Sequence, residues 1–191
     1  MISLHFWAHL RTINRHRALV RKYCFRLGLY WQGLTHDLSK YAPVEFFAGA
    51  KYFQGDHSPN DAQRKEHGYS ASWLHHKGRN RHHFEYWTDL IPGTRTYGPV
   101  EMPAKYLVEM CMDRIAACKT YRGRAYTQAD PINYLRRARE TPLMHPQTRK
   151  KLEFLLTMLE EQGEDVTFAF MKEHVLTGED FLPPDTPGSM S

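Results

Sequence analysis

The chain has 191 residues, of which 41% are hydrophobic, 13% aromatic and 25% charged, and its formal net charge is +5. This composition is typical of a folded globular protein. No apolar run approaches the roughly eighteen residues of a membrane span, and the first ten residues lack the cleavage site of a secretory signal. We therefore expect a cytoplasmic protein with no membrane partner. The basic charge favours a phosphate-bearing substrate or nucleic acid as ligand.

Apolar residues recur at helical spacing through most of the chain. The first helix is predicted over residues 4–27 and ends at Gly28, a residue typical of helix C-termini. An irregular loop is predicted over residues 91–103, and no alternation typical of β-strands persists anywhere. The remaining helical elements are predicted over residues 34–41, from Pro43, over 58–77, 80–87, 103–121, 132–140, 147–162 and 165–176.

These elements predict an all-α fold, a single-domain helical bundle of about seven or eight helices. We expect the domain to span residues 1–177. Residues 178–191 contain several prolines and end in small polar residues, which indicates a flexible C-terminal tail. The three cysteines, Cys24, Cys111 and Cys118, show no zinc-type spacing and are predicted to be buried free thiols.

Histidine is unusually frequent, with 12 residues. Imidazole nitrogens together with carboxylate oxygens are suitable ligands for zinc, iron, manganese, nickel or cobalt. An aspartate on an apolar helix face, such as Asp113, is costly to bury unless it is paired or bound to metal. Arg114 is an alternative partner for it. The adjacent His36 and Asp37 can both bind one ion only if the backbone bends there. The candidate ligands are His16, His36, Asp37, His76, His82, His83 and Asp113.

The order of these residues carries a resemblance. His16, the pair His36-Asp37 and then Asp113 resemble the signature of the HD superfamily of metal-dependent phosphohydrolases. Lys40 completes a pattern similar to the HDxxK form, and the histidines over residues 76–83 are similar to those added in binuclear members. The wider chain, over about residues 4–172, resembles a small uncharacterised bacterial and phage family of unknown function that is assigned to this superfamily. Residues 33–40 and 80–87 carry that match.

The resemblance implies a role for each of these residues. His16, His36, Asp37 and Asp113 would hold a first metal ion. His76 and one or both of His82 and His83 would hold a second ion or the substrate. Their spacing departs from the best-known binuclear pattern in being shorter, which leaves both of these roles open. As the two histidines are predicted to be neighbours in one helix, we expect only one of them to face the site. The predicted catalytic residues are Asp37, Lys40 and Glu85, and the predicted substrate-binding residues are Lys40, Arg79, Asn80, Arg81 and His83.

We therefore expect a phosphohydrolase that uses one or two ions of manganese, iron, cobalt, nickel or zinc. A metal-activated water would attack the phosphorus of a nucleotide or another small phosphoester. Two alternatives remain open: a di-iron oxygenase of HD type, and a non-catalytic metal-containing module that binds nucleic acid or a host protein. Iron content with oxygen-dependent turnover would favour the first. Salt-dependent binding of nucleic acid without turnover would favour the second.

Overall fold

The computed structural model describes residues 2–56, 58–137 and 142–182, with side chains from residue 5 onward in the first helix. The described residues confirm the all-α fold. They form eight α-helices: α1 (Ile2–Arg26), α2 (Tyr30–Thr35), α3 (Pro43–Lys51), α4 (Asn60–His67), α5 (Ala71–Lys77), α6 (Ala104–Arg122), α7 (Asp130–Arg137) and α8 (Pro146–Phe170). A 3₁₀ turn at Leu38–Tyr41 follows α2, a second at Phe84–Tyr86 lies between α5 and α6, and a third at Gly123–Ala125 follows α6. A π-turn over Met171–Val175 extends α8.

Helix α6 lies at the centre of the bundle, and α1, α7 and α8 pack against it. Apolar side chains cover most of its circumference, which is typical of a helix surrounded by protein. Two carboxylates, Glu109 and Asp113, stand one turn apart on this helix. Their surroundings must compensate the cost of placing charge in the interior. The buried apolar residues of α6 are Leu107, Val108, Met110, Cys111, Met112, Ile115 and Ala116.

The prediction of one continuous helix over residues 58–77 was wrong, because the segment forms two helices, α4 and α5. Gly68 has a φ of 78° and ends α4 in the left-handed conformation, which glycine adopts without steric cost. Ser70 then caps α5, because its hydroxyl accepts a hydrogen bond from the backbone N–H of Trp73. The short α5 carries His75 and His76.

A small hairpin replaces part of the predicted helix and loop between residues 80 and 103. Only Phe84–Tyr86 is helical there, and His82 and His83 lie in the turn before it. Strands β1 (Thr88–Leu90) and β2 (Tyr97–Pro99) pair antiparallel, with Asp89 opposite Gly98. Three-residue strands are too short to produce a detectable alternation of polar and apolar residues, so the sequence pattern did not predict them.

The predicted break between the last two helices is confirmed at Gly163. This residue has a φ of 87° and a ψ of 173° within α8, and helical backbone continues to Phe170. The helix predicted over residues 132–140 is described up to Arg137 as α7, and its last residues lie outside the described ones. Residues 183–191 also lie outside, so the flexible tail stays a prediction. In the described part, no helix is both long and apolar enough to cross a membrane.

A close contact between α1 and α3 fixes the N-terminal side of the bundle. His9 is buried, and its ring packs against Phe46 and Phe53 with centroid separations of 5.4 Å and 5.8 Å. A Cβ atom at Gly49 would lie 2.2 Å from Nε2 of His9. Glycine is therefore required at residue 49 by the approach of the imidazole, although the backbone there is helical.

We expect Gly49→Ala to lower the free energy of unfolding by about 1–3 kcal/mol, because it overpacks this contact. The intrinsic preference of helices for alanine has the opposite sign and favours the variant by about 0.5–1 kcal/mol. Urea denaturation of both proteins measures the difference. In a His9→Ala background the clash is removed, so the same substitution becomes neutral or stabilising. A stabilising effect of Gly49→Ala in the wild-type background would contradict the contact.

Candidate metal centre

A sharp backbone bend between α2 and the following 3₁₀ turn presents His36 and Asp37 to the interior. His36 has an extended ψ of 126°. Asp37 has a φ of 54° and is the one non-glycine residue with positive φ among the described residues. Aspartate is among the few side chains that tolerate this left-handed conformation. The backbone thus bends where the sequence analysis required it for a shared ion, and His36 and Asp37 are both buried, with relative exposures of 2% and 1%.

One group of donor atoms comes from α1, the bend and α6. Asp113 Oδ1 lies 2.9 Å from His16 Nε2 and 3.5 Å from His36 Nε2, and the two nitrogens are 3.4 Å apart. Asp37 Oδ2 lies 3.6 Å from His16 Nε2 and 3.5 Å from His36 Nε2. We call these four residues the first cluster. Asp113 thus contacts the imidazoles of His16 and His36 rather than the alternative partner Arg114.

The spacing of the first cluster is that of a single coordination shell. Nitrogen and oxygen ligands bind transition metals at about 2.0–2.2 Å. Tetrahedral or octahedral angles then place neighbouring ligand atoms about 2.8–3.6 Å from one another. The distances between neighbouring donor atoms of the first cluster range from 2.9 Å to 3.6 Å. Its four residues could therefore hold one ion.

A second group of donors faces the other oxygen of Asp37. Asp37 Oδ1 lies 3.3 Å from His76 Nε2 and 3.4 Å from His82 Nε2, and His83 supplies a fourth donor within 4.8 Å of these atoms. We call these four residues the second cluster. Asp37 Oδ1, His82 Nε2 and His83 Nε2 are all buried without a hydrogen-bond partner. Buried polar atoms are almost always satisfied, and these carboxylate and imidazole atoms are of the types that can bind a metal ion.

The positions of His82 and His83 correct the expectation that only one of them faces the site. They lie in a turn rather than in one helix, and their ring centroids are 4.2 Å apart. Both therefore belong to the second cluster. Each cluster has three buried members and one partly exposed member, which is Asp113 in the first cluster and His83 in the second.

Two buried glutamates orient the imidazoles. Glu109 Oε1 accepts hydrogen bonds from Nδ1 of His36 at 2.9 Å and approaches Nδ1 of His82 at 3.2 Å. Glu45 Oε2 accepts one from Nδ1 of His76 at 2.8 Å, and its other oxygen contacts His75. Each ring therefore turns Nδ1 toward a glutamate and Nε2 toward Asp37. Such carboxylate–histidine pairs fix the tautomer and the ring orientation at metal sites.

The electrostatics of the two clusters differ. Burial opposes the ionisation of Asp37, but His36 and Lys40 hold its pKa well below the usual range. Burial also lowers the pKa of His36, yet Asp37, with hydrogen bonds to Asp113 and Glu109, raises that pKa to about 10. In the second cluster, burial lowers the pKa of His76 and holds that of His83 well below its usual range. Burial therefore favours the neutral form of these two imidazoles, which is the form that binds metal.

Of the predicted substrate-binding residues, Lys40 lies beside Asp37, the residue that the two clusters share. Its Nζ is 3.4 Å from Asp37 Oδ2, and 32% of its side chain is exposed. Asn80 is buried and donates its amide to the backbone carbonyl of His76 at 2.8 Å. Its side chain therefore fixes the end of α5.

Two predicted substrate-binding residues, Arg79 and Arg81, and the predicted catalytic residue Glu85 lie outside both clusters. Arg79 and Arg81 are exposed; Arg79 donates to the His75 carbonyl at 3.3 Å and Arg81 donates to the Tyr106 hydroxyl at 3.1 Å. Glu85 is half-buried, and burial raises the pKa of its carboxyl. Its Oε2 has no hydrogen-bond partner, but it is not among the donor atoms that converge on Asp37.

The sequence interpretation missed Glu45 and Glu109. A signal for Glu109 was present, since it lies four residues before Asp113 and therefore on the same face of an otherwise apolar helix. Glu45 stands next to Phe46 and Phe47 in α3, where a charged residue also calls for a buried partner. Which histidines these carboxylates would meet depends on the tertiary packing of three separate helices.

The chain belongs to a family of unknown function, DUF5662, whose sequence pattern matches residues 5–158. This match includes every residue of both clusters and both glutamates that orient them. Comparison with curated proteins and with solved structures gave no match.

We expect Glu109→Gln to lower the free energy of unfolding of the metal-free protein by about 3 kcal/mol, because it removes the charge from a buried pair and leaves two imidazoles without their carboxylate. Denaturation by urea in the presence of a chelator measures this. Glu161→Gln, at an exposed residue of α8, is the matched control and should have no effect. Equal stability of the Glu109 variant and the control would contradict the buried hydrogen bonds.

Proposed function

We propose that this protein is a metal-dependent phosphohydrolase in which the first and second clusters would each hold a divalent ion, with Asp37 a member of both clusters. One observation carries the proposal: the two carboxylate oxygens of Asp37 face two separate groups of buried metal-binding side chains. A carboxylate in this position can share its two oxygens between two ions. Paired ions suit phosphoester hydrolysis because they stabilise both the attacking and the leaving oxygen.

The donor sets favour transition metals. The first cluster has two imidazoles and two carboxylates, and the second has three imidazoles and one carboxylate, counting Asp37 in both. Mixed nitrogen and oxygen donors of this kind suit manganese, iron, cobalt, nickel or zinc, whereas magnesium and calcium prefer oxygen alone. The absence of cysteine from both clusters is consistent with a catalytic rather than a structural zinc-type site.

Different residues of the chain would have different roles in hydrolysis. An ion bound here lowers the pKa of its water toward neutrality and so supplies a nucleophile. Lys40, beside Asp37 and half-exposed, is suited to bind a phosphate oxygen and to neutralise charge that develops on it. The partly exposed side chain of Asp113 gives the first cluster a contact with solvent, where a substrate can approach. Glu109 and Glu45 hold the imidazoles in place.

The similarity of His16, His36-Asp37, Lys40 and Asp113 to the HD superfamily supports the same reaction class. The net charge of +5 and the basic side chain at the centre favour a small anionic substrate, such as a nucleotide or another phosphoester.

A second candidate function is a di-iron oxygenase. The three imidazoles of the second cluster favour it, because histidine-rich sites suit iron. Iron at two equivalents together with oxygen consumption would select the oxygenase. Phosphate release that does not depend on oxygen would select the hydrolase.

Elemental analysis of the purified protein tests the centre directly. We expect two ions per wild-type chain and loss of both in Asp37→Ala. Asp113→Ala and His76→Ala, which each remove a ligand of a single cluster, should each lose one. Asp61→Ala, at an exposed residue of α4, should retain the full content. Full metal content in Asp37→Ala would show that the ions are bound elsewhere.

A panel of nucleotides and other small phosphoesters, assayed with manganese, cobalt, nickel or zinc, tests the reaction. We expect Lys40→Met to keep its metal and to lose at least about tenfold in kcat/KM, since one phosphate contact is worth roughly 1.4 kcal/mol or more. Lys65→Met, an exposed lysine of α4, is the charge-matched control. Metal-loaded wild-type protein that hydrolyses none of the panel would contradict the hydrolase. Unchanged kinetics of Lys40→Met would contradict the role of Lys40.

A further inference from the structure

Arg17 contacts the backbone bend from outside both clusters. Its Nε donates to the carbonyl of His36 at 2.8 Å, and another nitrogen of the guanidinium donates to the carbonyl of Leu34 at 3.2 Å. A third bond runs to the hydroxyl of Tyr41 at 2.9 Å, at the end of the 3₁₀ turn. One side chain therefore holds the chain on both sides of Asp37.

All three acceptors of the Arg17 guanidinium are uncharged. Its acceptors are two carbonyls and a phenol. The guanidinium also lies over the ring of Tyr41, 5.0 Å from its centroid. Tyr41 in turn donates to the side chain of Asn14 at 2.6 Å. Two residues of α1, Asn14 and Arg17, thus hold the same tyrosine.

The bend needs such support for two reasons. Helix α2 has only six residues, so it is too short to be stable by itself, and its last carbonyls lack partners within the helix. The left-handed conformation of Asp37 is also less favourable than an ordinary one, and it persists only where its surroundings impose it. The bonds of Arg17 satisfy the carbonyls of Leu34 and His36, immediately before the left-handed residue.

The position of Arg17 in the chain gives these bonds a consequence for the centre. It directly follows His16, a member of the first cluster, on α1. The same turn of α1 therefore supplies one side chain of the cluster and anchors the segment that supplies His36 and Asp37. The distance between His16 Nε2 and Asp37 Oδ2 depends on where Arg17 holds the bend.

We propose that Arg17 is a positioning residue that sets the geometry of the metal centre by clamping the His36–Asp37 bend to α1. This inference rests on the proposed centre, but it concerns a residue that binds neither metal nor substrate. The rigid, planar guanidinium is essential to the role. A lysine ammonium carries the same charge, yet it cannot satisfy three acceptors in these fixed directions.

Titration with Co²⁺ tests the inference, with visible absorption reporting coordination and calorimetry reporting affinity. We expect Arg17→Lys and Arg17→Met to bind Co²⁺ about 10–100-fold more weakly than wild type, the range found for supporting groups around metal ligands. Their absorption spectra should change as well. Tyr41→Phe, which removes one of the three acceptors, should have a smaller effect. Arg21→Met, at an exposed residue of α1 outside the clamp, is the matched control.

The melting temperatures of the metal-free proteins show how far each substitution of Arg17 changes stability, separately from its effect on the binding of Co²⁺. If Arg17→Lys binds Co²⁺ with wild-type affinity and spectrum, the inference is overturned, whatever its melting temperature. If Arg17→Met does not fold, Arg17→Lys alone decides, because it keeps the charge and most of the side-chain volume. If wild-type protein binds no Co²⁺ in either cluster, the metal centre itself is wrong and the role of Arg17 falls with it.

Discussion

Burying the carboxylate of Asp37 is the constraint around which the interior of this bundle is arranged. An ionised carboxylate in a protein interior is costly unless charged or hydrogen-bonding partners surround it. Here imidazoles approach both oxygens, and Lys40 adds a positive charge on one side. The left-handed backbone at Asp37 places the group where imidazoles from α1, from α5 and from the turn after α5 can reach it together.

The helices around Asp37 follow from the same requirement. Helix α6 is apolar on nearly all sides, yet it carries Glu109 and Asp113 on the face toward the clusters. Glu109 serves both clusters, since it contacts His36 of the first and His82 of the second. Helix α3 contributes Glu45 behind His76 in the same way. Acidic residues thus surround an inner group of imidazoles, and the arrangement as a whole is suited to retain cations.

Much of this organisation was predictable from the sequence. Helical periodicity predicted the all-α fold. The structure brings together the candidate ligands that the sequence offered, which are His16, His36, Asp37, His76, His82, His83 and Asp113. The glutamates behind them were not predicted, because a single buried glutamate in a helix does not indicate which distant ring it will meet. The turn that directs His82 and His83 to the same point was missed for a similar reason. It depends on a hairpin of two three-residue strands and on packing, neither of which leaves a periodic pattern.

The spread of the clusters along the chain has a consequence for folding kinetics. Their members extend from His16 on the first helix to Asp113 on the sixth, so nearly every contact between them joins residues distant in sequence. Closing such long loops costs chain entropy before the contacts repay it, and contacts of this kind slow folding. Local helices such as α6 must guide the early steps. The grouping of imidazoles and carboxylates around Asp37 can then assemble only after most of the native topology has formed.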